Sequence, residues 1–96
     1  MKRLNWRNIK ENIAEAREEL QKIEKRIASK DRPSEGELLI SMEHTYHHIN
    51  FAWNSRHMSS ARYDKMSDND FNVCGDFPKD IDIYSVTLSK KKKKGV

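Results

Sequence analysis

The sequence predicts an all-α protein: an antiparallel two-helix hairpin with a short third helix and an irregular C-terminal segment, able to dimerise into a four-helix bundle. Three observations lead there. Two runs of apolar residues repeat at helical spacing, a proline break separates them, and the periodicity is lost after Arg62.

The first helix is expected over about residues 5–29. Trp6, Ile9, Ile13, Ala16, Leu20, Ile23 and Ile27 are spaced alternately three and four apart, an unbroken heptad seam. No Gly or Pro interrupts it, and Glu18 with Lys22 forms an i, i+4 pair in the favourable order. Pro33 ends the run, because proline disfavours helical geometry in the residue before it and lacks an amide hydrogen.

A second helix is expected at once, over about residues 34–62. Ser34 followed by Glu37 is a capping-box pattern, in which hydroxyl and carboxylate satisfy free amide hydrogens at the helix start. Leu39, Met42, Tyr46, Ile49, Trp53, Arg56 and Ser60 repeat the heptad spacing, with Leu38 and Ala52 widening the stripe. So short a connection favours antiparallel neighbours, which brings Trp6 close to Trp53 and Arg56 and makes Tyr46 and Trp53 core residues.

A third, short helix is expected over about residues 68–74, with Ser67 and Asp70 spaced as a cap and Gly75 at its end. Phe77-Pro78 reads as a turn, and Ile81, Ile83 and Tyr84 as extended chain packed across the hairpin. Residues 1–88 form one domain on this reading, and residues 89–96 a disordered lysine-rich tail.

Charge bounds the partners. The formal net charge is +4, but Lys90 to Lys94 supply five of nineteen basic residues, so fourteen face fifteen acidic ones elsewhere. The basicity belongs to the tail, which offers only weak, salt-sensitive attraction to nucleic acid. No apolar run suits a signal peptide or a membrane span, and Cys74 is the only cysteine, which points to a soluble protein of the reducing cytoplasm.

Glu43 to His48 holds three of the four histidines within five residues. On a helix His44 and His48 share a face and can chelate a transition metal, given further ligands from elsewhere in the chain or from a second copy. The helical wheel places them with Glu37 and Phe51, opposite the apolar seam and away from the hairpin core. The order of residues is not His-Glu-x-x-His, and the seams lack the inward Glu and Glu-x-x-His of di-iron bundles. Cys74 reads as a small apolar filler rather than a nucleophile.

With 35% apolar residues the chain has little material for its own core, so partners are expected. The function read from the sequence is a non-catalytic helical protein-protein interaction or assembly module, with no cofactor. Its partner is a second copy or another protein, met through Phe51, Met58, His44 and His48. The alternative is a transition-metal-binding helical protein using His44 and His48 as ligands.

Overall fold

Side-chain caps set where each helix starts. The computed structural model of the chain describes residues 3–81, and within them α1 is Trp6–Ile27, α2 Glu35–Asn54, α3 Ser60–Asp64 and α4 Asp68–Gly75. Asn5 accepts from the Asn8 amide, Ser59 from Arg62 and Ser67 from Asp70. At α2 the capping box is complete: Ser34 Oγ accepts from the Glu37 amide at 3.2 Å and the Glu37 carboxylate accepts from the Ser34 amide at 3.0 Å.

α1 and α2 pack along their length, antiparallel as expected. Arg26 reaches Glu37 at 2.7 Å beside the connecting loop, while at the open end the Asn5 amide donates to the Arg56 carbonyl at 2.6 Å. The same end brings Trp6, Trp53 and Arg56 around one apolar groove. No strand occurs among the described residues, and no described helix is long and apolar enough to cross a membrane.

The second helix is shorter than the periodicity suggests. It ends at Asn54, the chain turns through residues 55–59, and α3 follows as a separate piece, making two short helices instead of one. The physical cause combines two local contacts with one long-range bond. Ser55 Oγ donates to the Phe51 carbonyl, Arg56 donates to the Trp53 carbonyl at 2.7 Å, and Asn5 takes the Arg56 carbonyl from the ladder. The Trp53 and Arg56 carbonyls are thereby served without a further helical turn, and Ser55 Oγ adds a second donor to the Phe51 carbonyl beside the Ser55 amide. The break falls where the seam turns polar.

α4 matches its expected position, but its end does not use a left-handed glycine, since Gly75 has no positive φ. Instead two amides from α2 serve its last carbonyls. Asn50 donates to the carbonyls of Gly75 and Asp76 at 2.9 and 3.0 Å, and Asn54 to those of Cys74 and Asp76 at 2.7 and 2.8 Å. Ion pairs tie the short helices in: Arg7 to Asp64 between α1 and α3, and Arg62 to Asp70 between α3 and α4. Ile83, Tyr84 and the lysine-rich tail lie outside the described residues.

Candidate functional site

The hairpin contact does not use the heptad seams in the way their periodicity implies. Of the first seam only Ala16 and Ile23 are buried, while Trp6, Ile13, Leu20 and Ile27 are exposed. On α2, Leu39, Met42, Tyr46, Ile49 and Trp53 are all more than a third exposed, so Tyr46 and Trp53 are not core residues. Small and polar side chains take their place: Asn8 and Asn12 on α1, Thr45 and Ala52 on α2, and Ser55 beyond it are buried. Both helices are thus rotated, and each apolar stripe is left half outside the contact.

Two sites follow from that rotation, one on each flank of the α1–α2 contact. On the first flank the exposed halves of the stripes lie side by side. One groove runs between Trp6, Ile9 and Ile13 on α1 and Ile49 and Trp53 on α2, and a second continues from Tyr46 and Ile49 to Phe77, Pro78 and Ile81. Its edge is pinned. Trp53 Nε1 donates to Asp80 at 2.8 Å, and Arg56 lies 3.7 Å over the Trp53 ring while pairing with Asp80 at 2.9 Å. Trp53 and Arg56 together hold Asp80 below the usual carboxylate range.

On the other flank His44 and His48 do share a face, but that face turns toward α1 rather than away from the hairpin. His48 Nδ1 is 3.0 Å from Asn12 Oδ1, His44 Nδ1 is 3.3 Å from Glu19 Oε2, and the two Nε2 atoms are 3.1 Å apart. A carboxylate oxygen of Glu15 lies within 4.8 Å of both imidazoles. Burial pushes His48 and His47 below the ordinary imidazole value, with neighbouring histidine charge adding to it. Hydrogen bonds from Ser41 and then His44 hold Glu19 low.

The other residues singled out from the sequence have different surroundings. Phe51 is 4% exposed, packed on His47 at 4.3 Å and Phe71 at 5.1 Å between ring centroids, so α4 covers it within the chain. Met58 is half-buried, and its carbonyl accepts from Asn5 Nδ2 at 2.8 Å. Cys74 is buried, and that burial raises its thiol pKa, which fits a packing role. Asn12, Glu15 and Glu19 were missed because they lie on α1, far in sequence from the histidines. Their i, i+4 and i, i+3 spacing was visible, but the register that brings them to His44 and His48 was not.

Comparison with known protein families, curated proteins and solved structures finds no match for this chain.

Proposed function

We propose that the protein is a small, non-catalytic helical interaction and assembly module, and that its primary partner is a second copy bound over the open apolar flank of the hairpin. The observation that carries this reading is the apolar face itself. Trp6 and Ile13 on α1 line adjoining grooves with Tyr46, Ile49 and Trp53 on α2, and Leu20 and Met42 are exposed farther along the same two helices. Isolated surface apolar residues are ordinary in soluble proteins, but a contiguous apolar face of this extent is a site of association.

A second copy suits the face for two reasons. Both stripes carry the three-and-four spacing of helices that pack at shallow angles, and two hairpins joined on such faces form a four-helix bundle. A two-fold pairing also closes, leaving no apolar surface to propagate. The test is light scattering over a concentration series, with Ile49→Glu as the variant. Ile49 is 52% exposed and lines both grooves, and helical circular dichroism of the variant checks that the fold is kept. The expected result is twice the 11.4 kDa chain mass for the parent protein and the chain mass for the variant. A parent protein that stays monomeric at high concentration would overturn self-association and direct attention to residues after Ile81 or to a different protein as the cover.

A further inference from the structure

Both Nδ1 atoms of the histidine pair are committed to acceptors. Asn12 Nδ2 donates to the Asn8 carbonyl at 2.9 Å and to the Tyr63 hydroxyl at 2.9 Å. Because a carbonyl only accepts, this fixes the Asn12 amide with its oxygen toward His48. His48 Nδ1 must therefore carry hydrogen, and so must His44 Nδ1, which faces the Glu19 carboxylate at 3.3 Å. Where both rings are neutral, the two Nε2 atoms are then both lone-pair nitrogens, 3.1 Å apart. Two lone pairs aimed at each other repel unless a cation lies between them.

We propose that His44, His48 and Glu15 bind a divalent transition-metal cation of the zinc class between α1 and α2. Two imidazole nitrogens on one tetrahedral zinc, each at about 2.0–2.1 Å, sit roughly 3.3 Å apart, close to the spacing found here. Glu15, one helix away, supplies the third donor, and its carboxylate already lies within 4.8 Å of both rings. Solvent completes the fourth position, since Glu15 and His44 are exposed.

The surroundings are those of metal-binding histidines. Such a ring donates its second N–H to a carboxylate or carbonyl, which fixes its orientation and raises the basicity of the ligating nitrogen. Glu19 does this for His44 and the Asn12 amide for His48. Asn12 is itself held at 3% exposure by its bonds to Asn8 and Tyr63, so it is a positioning residue supported by α1 and α3. Imidazole and carboxylate donors without a thiolate favour zinc, nickel or copper(II) over copper(I). The site is complete within one chain and lies on the flank opposite the apolar face, so it does not depend on the assembly reading.

The test is calorimetric titration of chelator-treated protein with zinc chloride, with cobalt(II) absorption as a spectroscopic probe. One zinc per chain is expected. His44→Ala and His48→Ala are expected to weaken binding by at least ~10-fold and Asn12→Ala by ~10- to 100-fold, while His57→Ala leaves it unchanged. Because the histidine variants could loosen the hairpin, the unaltered protein provides a second readout: zinc is expected to shift the Nε2 resonances of His44 and His48 and not that of His57. Unmoved histidine resonances, or zinc binding in the His44→Ala and His48→Ala variants as tight as in the unaltered protein, would overturn the proposal and leave a shared proton as the cation between the rings.

Discussion

Replacing Phe51 with alanine separates a ring that holds the chain together from a ring that anchors a partner. Phe51 is 4% exposed, and the α2–α4 contact is built around it: His47 and Phe71 pack on its faces and Gly75 lies against its edge. Truncating a fully enclosed phenylalanine costs ~3–5 kcal/mol, the larger values arising where the cavity cannot collapse. Here Phe71 is 52% exposed, so one wall can move inward. The low end, about 3 kcal/mol, is therefore expected, and for a domain of this size that lowers Tm by roughly 12–24 °C. The assay is urea unfolding followed by helical circular dichroism at several protein concentrations. Phe71→Ala should cost less, about 1–2 kcal/mol, and the double variant less than the sum, because the two rings interact by ~0.5–1.5 kcal/mol beyond their burial. A loss for Phe51→Ala below about 1 kcal/mol, or one confined to concentrations where the chain associates, would refute the reasoning and make Phe51 a partner contact.

Three further outcomes concern the ends of α2 and α4. Glu37, held to about 2 by Arg26 and then by the Ser34 amide and hydroxyl, should titrate near that value by carbon NMR and move back toward 4.5 in Arg26→Gln. Since this folded-state value lies below the unfolded one, its contribution is complete above pH ~4.5 and fades as the pH falls toward 2, which acid unfolding of the two proteins can compare. Asn50→Ala removes a buried amide that donates to the carbonyl end of α4 and should cost about 2 kcal/mol in urea unfolding, with Asn54→Ala, whose side chain is less enclosed, costing about 1 kcal/mol. Gly75→Ala should be neutral or stabilising by up to ~1 kcal/mol, because Gly75 has no positive φ and a Cβ there would meet Phe51 only at an ordinary 3.8 Å.

Local signals were legible in the sequence and long-range ones were not. The capping box at Ser34 and Glu37, the cap at Ser67 and the proline break each depend on residues within a few positions, and all stand where the sequence puts them. The seam periodicity likewise located both long helices, although not the end of the second, and the short connection between them pointed to their antiparallel order. Periodicity reports which residues share a face, however, and not which part of that face meets the neighbour. Asn8 and Asn12 border the apolar stripe of α1, and it is their bonds to Met58, Tyr63 and His48 that draw this border into the contact. The same rotation explains why Trp6 and Tyr46 emerge at the surface and why the histidines meet Glu15 and Glu19. For the break after Asn54, the deciding partner of the Arg56 carbonyl is Asn5, some fifty residues earlier, which no local pattern reveals.

A hairpin closed by asparagine and histidine contacts differs physically from one closed by its heptads. Apolar packing is non-directional, so two apolar stripes can slide or rotate past each other at little cost, and closing them on each other would consume the large apolar face that the described residues present. Amide and imidazole groups have fixed donor and acceptor directions, and leaving one unpaired in a buried contact costs ~1–3 kcal/mol, so they select one register over its neighbours. Asn5, Asn12, His44 and His48 fulfil that role between the helices, with Asn50 and Asn54 doing the same for α4. The apolar stripes are thereby relieved of holding the hairpin closed and are presented side by side, already ordered. A face ordered before association loses less entropy on binding than one that must form with its partner. A metal ion between His44, His48 and Glu15 would strengthen the polar flank without touching the apolar one, so zinc is expected to raise the Tm of the chain while leaving the dissociation constant of the proposed dimer nearly unchanged.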